Sequence, residues 1–320
     1  KSMISETVSE TYNAKETNVS IHTVRRIIDD TARLLTIKPL HDLPEHLCFD
    51  EFKSVKSSDS NMSFIICDST THKLVDVVRD RKSYSLKRYF HRFEPKTRLM
   101  VKTISIDMYL PYIQLIKEMF PNAKIIIDPF HIVQALNREL NRTRVRVMNK
   151  HRYKDTKLYR KLKHYWKLIL KNPNELQNYK YNRYKLFESF ITSKGIVDYI
   201  LEKNPSLKND YEVVHSLREC IQDRDYIEFK ETIEAATQLD LSPGLKRVLK
   251  TLMTYLPYIQ NTCEYPTRTN GPIEGINNKI KVLKRNAYGF RNYYHFRNRI
   301  ILITKMFGPK QKGIKQQLVA

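Results

Sequence analysis

Glycine is scarce in this 320-residue chain, seven in all, and tryptophan occurs once. So few glycines exclude a linker-rich or low-complexity protein, and no phosphate-cradling G-x-x-x-x-G-K-[ST] loop is present. The four cysteines, Cys48, Cys67, Cys220 and Cys263, lie far apart with no C-x-x-C pair. That excludes the usual structural zinc spacings, and scattered thiols fit a reducing, cytoplasmic compartment. No apolar run approaches the ~20 residues of a spanning helix, and no secretory signal opens the chain, so no membrane span is expected. H-E-x-x-H and the Ser-His and Cys-His nucleophile signatures are missing as well. Acidic residues are the most telling shortage. Thirty-four Asp and Glu face 57 Lys and Arg, a formal net charge of +23 with a pI near 9.7. Such an excess implies a polyanionic partner, nucleic acid first and an anionic membrane surface second, bound with strong salt dependence.

The shortage is sharpest near the end. After Glu274 there is no Asp or Glu as far as Ala320, while eleven Lys or Arg follow. Residues 269–299 read TNGPIEGINNKIKVLKRNAYGFRNYYHFRNR. Asn270-Gly271-Pro272 predicts a turn leading into a helix. Ile276, Ile280 and Leu283 then form an apolar stripe, with Glu274, Asn278 and Lys281 on another face and Asn277 close by. A lone carboxylate ahead of a basic, aromatic run makes sense as a metal ligand with a polyanion held behind it. Glu274 would equally well favour the dipole at a helix N-terminus.

Along the chain, residues 1–44 read as a helical segment and linker, the linker carrying Pro39 and Pro44. Ser20 is the expected N-cap of a helix with Val24, Ile27 and Ile28 on one face and Arg25 and Arg26 on another. This suits either the second half of a helix-turn-helix, whose N-terminal residues meet DNA, or an ordinary amphipathic helix. Residues 45–135 hold five β-rich runs: CFDEFKSV, SFIIC, KLVDVV, VKTISID and AKIIID. Helical SLKRYFHRF precedes the fourth and PYIQLIKEMF the fifth, which predicts a mixed α/β sheet of about five strands. Residues 136–265 read as all-helical, with Leu245, Val248, Leu249, Leu252 and Leu256 on one stripe. Within residues 142–170, eleven Lys or Arg oppose one Asp, interleaved with Tyr153, Tyr159, Tyr165 and Trp166. That balance exceeds what solvating a helix requires and points to a nucleic-acid face. Residues 266–320 form the last block, a helix and a basic tail.

Three acids stand at strand ends or helix starts: Asp50, Asp107 and Glu274. If the first and fourth strands are neighbours, Asp50 and Asp107 converge and the late helix brings in Glu274. Clustered carboxylates repel unless a cation joins them, and oxygen donors suit Mg²⁺. Two such ions serve phosphodiester chemistry. Glu51, Asp68, Asp76, Asp80 and Asp128 compete as candidates. Asp128 is the strongest rival, because it ends a strand and His131 follows three residues on, although Asp128-Pro129 also reads as a turn and helix start.

The runs CFDEF, ISIDMYLPY, IIIDPFHIVQ and NGPIEGINNKIKVLKRNAYGFRNY resemble, in order, the ISL-three group of bacterial insertion-sequence DDE transposases, over roughly residues 15–305. The resemblance implies a ribonuclease-H-like domain interrupted by an all-helical insertion, with a partial helix-turn-helix ahead of it. It also implies an N-terminally truncated chain, because the family's zinc module is missing. The family's triad falls on Asp50, Asp107 and Glu274, as catalytic residues and ligands of Mg²⁺ or Mn²⁺, two ions. Tyr109 stands where the family often has Trp. The expected DNA contacts are Arg25, Arg26, Lys279, Lys281, Lys284, Arg285, Arg291 and Arg297. Tyr288, Phe290 and Tyr293 suit base stacking or core packing alike. The expected partners are double-stranded DNA, at transposon ends and target, and further copies of the chain in a homodimer or larger synaptic assembly, with no membrane. The expected location is the cytoplasm of a bacterium, associated with the nucleoid. The alternative function is a non-catalytic DNA-binding protein or repressor derived from such an enzyme.

Overall fold

In the computed structural model the described residues are 7–36, 41–58 and 60–306. Pro39 of the expected linker and the basic tail from residue 307 lie outside them. The chain divides into two units, one comprising Lys1–Ile126 with Arg268–Ala320, the other Ile127–Thr267.

The first unit opens with helices α1 (Glu10–Glu16) and α2 (Ile21–Leu35). The Ser20 hydroxyl accepts from Thr23 N and caps α2 as the sequence predicts. Val24 and Ile28 are buried, but Ile27 is 41% exposed, because an ideal helix carries position 27 off the line of 24 and 28. Strands β1 (His46–Lys53), β2 (Met62–Asp68) and β3 (Leu74–Val78) follow as an antiparallel meander. Helices α3 (Ser83–Phe90) and α4 (Pro95–Leu99) lead to β4 (Thr103–Ile106), and α5 (Leu110–Met119) leads to β5 (Lys124–Ile127). The sheet order is β3-β2-β1-β4-β5, with β4 parallel to β1.

Side chains alternate across β1, so the sheet has two buried faces. On one, Phe49 packs with Phe64, Phe90 and Phe120, drawing α3 onto the sheet. On the other, Cys48, Phe52, Ile65, Cys67 and Val77 form a core with side chains from the chain's last two helices.

The second unit is helical: α6 (Pro129–Lys150), α7 (Thr156–His164), α8 (Trp166–Leu170), α9 (Ser193–Glu202), α10 (Pro205–Asp223), α11 (Tyr226–Ala236) and α12 (Pro243–Glu264). Asp128 caps α6 by accepting from Phe130 N, in keeping with the reading of Asp128-Pro129 as a turn and helix start. Leu136 and Leu140 of α6, Val214 and Leu217 of α10, and Leu245, Leu249 and Leu252 of α12 are buried. Val248 and Leu256 are only half-buried, and Tyr255 and Ile259 continue the α12 stripe instead. Asp210, fully buried on α10, accepts from Thr143 Oγ1 at 2.7 Å and Ser242 N at 2.9 Å, which pins α6 and the start of α12 to α10.

The chain returns to the first unit with α13 (Gly271–Asn286) and α14 (Tyr293–Lys305). On α13, Ile273, Ile276, Ile280 and Leu283 are buried against the sheet. Burial of each is worth about 1.5–3 kcal/mol, enough to hold the helix in one rotational setting. Leu302 of α14 packs with Ala14, Val24 and Ile28, so the N-terminal helices belong to this unit's core.

Candidate active site

The parallel ladder pairs His46 with Thr103, Leu47 with Ile104 and Cys48 with Ser105. Carried two residues further, the same offset sets Asp50 beside Asp107, where the two strands part. Asp50 has the strand parity of Cys48 and Phe52, so it faces the side of the sheet that α13 covers.

Two asparagines of that helix reach these acids. Asn270, the N-cap residue of α13, makes no capping bond with its side chain. Its Nδ2 donates instead to Asp107 Oδ1 at 3.2 Å and to Phe49 O at 3.1 Å. Asn277 Nδ2 donates to Asp50 Oδ2 at 2.8 Å, and Asp50 Oδ1 accepts from Glu51 N at 2.7 Å. Asn270, Glu274, Asn277 and Lys281 fall at i, i+4, i+7 and i+11, a single line along the helix. Glu274 therefore stands between the two amides that touch the acids. Its side chain is exposed, and as a trio the carboxylates are not all within 4.8 Å of one another, so the arrangement is open.

The donor set is all oxygen. Besides the carboxylates, the amide oxygens of Asn270 and Asn277 are buried without a hydrogen-bond partner. Buried acceptors of this kind ordinarily have a partner, and with the carboxylates they fit a hard divalent cation.

Four of the five rival acids have structural work. Asp76 is buried and paired with Arg297, and also accepts from Tyr89 OH. Asp80 accepts from Ser60, Ser85 and the Arg81 amide. Burial opposes its ionisation, but these bonds outweigh it and hold the carboxyl below the usual range. Glu51 accepts from Arg81 and from Tyr112 OH. Asp68 accepts from the Thr70 and Thr71 amides in its turn.

The expected DNA-contacting cations divide into two groups. Arg26, Lys279, Lys281, Arg285 and Arg291 are exposed. Lys281 and Arg285 edge a groove of about 510 Å³ that Phe52, Met62 and Ile280 line and that opens beside Asn277. Arg25 is half exposed and pairs with Glu10 at 3.0 Å. Lys284 and Arg297 are committed inside the unit. Lys284 Nζ donates to Lys53 O and Ser54 O, each at 3.0 Å, and burial, then the Lys53 charge, pushes its pKa down. Arg297 bonds Asp76 at 2.5 Å and Val77 O at 3.0 Å. Tyr293 and Phe296 are core residues, while Tyr288 is almost fully exposed.

Asn270 and Asn277 are the residues that the sequence reading undervalued. Asn270 reads as a turn former and Asn277 as a neighbour, yet both lie on the helical line of Glu274. That spacing was the available signal.

Comparison with known proteins places the sequence in a family. Residues 47–300 match the transposase family of the ISL3 (ISL-three) group, of DDE type. The chain is 27% identical over 280 residues to the transposase for insertion sequence element IS1001 of Bordetella parapertussis, across 86% of this chain and 64% of that one. It is 36% identical over 130 residues to a Lactococcus lactis subsp. lactis protein named ATP-dependent protease, across 41% of this chain and 40% of that one. It thus spans less than two thirds of the length of either relative. No solved structure matches. With a five-stranded mixed sheet, acids at the parting ends of β1 and β4, and a family match over most of its length, the chain belongs to the ISL3 family of transposases.

Proposed function

We propose that this chain is a metal-dependent DNA transposase that cuts phosphodiester bonds at insertion-sequence ends and joins the freed 3′-hydroxyl to target DNA. The observation that carries this reading is the placement of Glu274 on α13, between the asparagines that bond Asp107 and Asp50. Asp50, Asp107 and Glu274 would hold the cations, Mg²⁺ or Mn²⁺. When bound, these would activate the attacking oxygen and stabilise the leaving one. The asparagine amides fix the carboxylate orientations without adding charge. Lys279, Lys281 and Arg285 hold the phosphate backbone beside the acids, and Arg291 extends that surface.

In this reading α2 belongs to a helix-turn-helix, with Arg26 toward the duplex, and α6–α12 are the insertion in a ribonuclease-H-like domain. Copies of the chain pair on DNA as a homodimer or larger assembly, in the cytoplasm and on the nucleoid. The name of the Lactococcus relative does not carry over as an activity, because the match covers only 41% of this chain and 40% of that one.

The test is nicking of supercoiled plasmid in Mg²⁺ or Mn²⁺, run beside duplex binding. Asp107→Asn is expected to lower cleavage by more than about a hundredfold, beyond what loss of a supporting residue costs, with duplex affinity unchanged. Equal loss of both activities, or nicking that needs no metal, sinks the assignment. Binding without any cleavage in the parent chain would favour a repressor.

A further inference from the structure

Unit two carries a segment that neither its helical core nor the acidic site explains. Residues 177–191 form an irregular loop whose start is tied down where Gln177 N donates to Ser193 Oγ at 2.8 Å, and a bridge with backbone bonds of 3.0 and 3.1 Å joins Asn182 to Ile191 within it. Five of its residues are aromatic, and they divide sharply. Tyr184 and Phe187 turn inward, 6.2 and 5.8 Å from the Tyr165 ring. Tyr165 OH donates to Lys185 O, and the buried Lys161 ammonium sits 4.2 Å above the Phe187 ring. Leu186 is held at φ +71°, a left-handed setting that a non-glycine residue occupies at a cost of about 1–3 kcal/mol when its surroundings enforce it. The loop is therefore anchored in one shape.

The other three rings are left outside: Tyr179 is 78% exposed, Tyr181 65% and Phe190 67%. Lys180, Arg183 and Lys185 are exposed among them. Three large rings held in water by a rigid loop gain the fold nothing, and they mark a binding surface.

Charge identifies the occupant. Between residues 138 and 194 there are seventeen Lys or Arg against four Asp or Glu, whereas residues 195–264 hold eight against twelve. The loop lies in the basic half, so a second copy of the same surface would be repelled and a polyanion attracted. Duplex DNA keeps its base faces stacked on one another and offers these rings nothing. Unpaired nucleotides offer both phosphates for the cations and base faces for the rings.

We infer that the 177–191 loop is a binding platform for single-stranded DNA, with bases stacked on Tyr179, Tyr181 and Phe190 and the backbone tracked by Lys180, Arg183 and Lys185. It would hold unpaired bases exposed when a duplex end opens, and it operates whether or not the acids cleave.

The experiment is fluorescence anisotropy on the full chain with a short labelled oligothymidylate and a duplex of equal length. A strand bearing 2-aminopurine is added, because its emission is quenched on stacking. The triple variant Tyr179→Ala, Tyr181→Ala, Phe190→Ala should weaken the single strand about tenfold or more, as loss of even one stacked base predicts. It should also abolish the quench and leave duplex affinity unchanged. Tyr179→Phe with Tyr181→Phe should retain both the affinity and the quench. Lys180→Gln, Arg183→Gln, Lys185→Gln should keep the quench at saturation and reduce the salt slope by about 2, at roughly 0.7 per lost phosphate contact. Asp107→Asn should bind the strand as the parent does, which separates this inference from the cleavage assignment. Unchanged single-strand affinity in the triple variant overturns the platform, as does an equal loss for duplex. A fall in oligomeric mass at constant DNA affinity would make the loop a protein interface and overturn it too.

Discussion

Replacing Arg297 with Gln asks whether this cation serves the fold or the nucleic acid. Its guanidinium meets Asp76 at 2.5 Å and Val77 O at 3.0 Å, with only 18% of the arginine side chain and 8% of the aspartate accessible. Asp76 keeps Tyr89 OH at 2.9 Å and Val77 N at 2.7 Å. Removing one partner of a buried pair costs about 3–5 kcal/mol, because the other charge is left uncompensated. The donors that remain on Asp76 lower this to about 2–4 kcal/mol. The double variant Arg297→Met, Asp76→Leu leaves no stranded charge and should lose less than the single one. Urea unfolding followed by circular dichroism reads both, beside duplex affinity of the folded protein. The expected result is a lower midpoint for Arg297→Gln, partial recovery in the double variant, and unchanged affinity. An unmoved midpoint with a large drop in DNA affinity would refute the structural assignment and return Arg297 to the binding surface.

Two further outcomes follow from other buried groups. His215 on α10 is 7% exposed, bonds Ile169 O at 3.0 Å, and is pushed down to about 4 chiefly by burial. Its folded pKa lies below the unfolded value of about 6.5, so the unfolded chain takes up the proton first. Stability is complete above about pH 6.5 and falls toward pH 4 by up to about 3 kcal/mol. His215→Gln should flatten that limb of a stability–pH curve, and an unaltered acid limb would show that His215 is not its source. Asn270→Ala removes the donor shared by Phe49 O and Asp107. It should cost about 1–3 kcal/mol in urea unfolding and lower cleavage further than unfolding accounts for, whereas full cleavage activity would show that the amide does not orient Asp107.

Much of the sheet was legible because each strand is short, apolar and bounded by turn residues, and β1, β2 and β3 occur where CFDEFKSV, SFIIC and KLVDVV predict. The neighbouring of β1 and β4 was conditional in the sequence and is observed. The rotational detail of helices was less legible. Periodicity places Ile27 with Ile28 and Leu256 with Leu252, but burial selects Val24 and Ile28, and Tyr255 and Ile259, because tertiary packing decides among adjacent apolar positions. Internal pairing was illegible. Nothing in the spacing of Lys284 or Arg297 distinguishes them from Lys281 and Arg285, since their acceptors, Lys53 O, Ser54 O and Asp76, come from the sheet more than two hundred residues earlier.

One helix arranges the candidate acidic site. On α13 the positions 273, 276, 280 and 283 bury, and the positions 270, 274, 277 and 281 form the line that meets Asp107 and Asp50. Both lines belong to the same rigid 3.6-residue period. The aliphatic line fixes rotation, and rotation decides which polar residues reach the strand ends. A slip of one residue would turn the helix by about 100° and carry Asn270, Glu274 and Asn277 away together. Core packing and site geometry are thus a single constraint here, and the spacing that reveals the helix in the sequence is also the spacing that places Glu274. The amides complete the argument. Neutral amide donors bond Asp50 and Asp107, whereas Arg297 pairs its charge with that of Asp76. In the function proposed above, the acids that hold the cation are those that α13 bonds through amides rather than through a guanidinium.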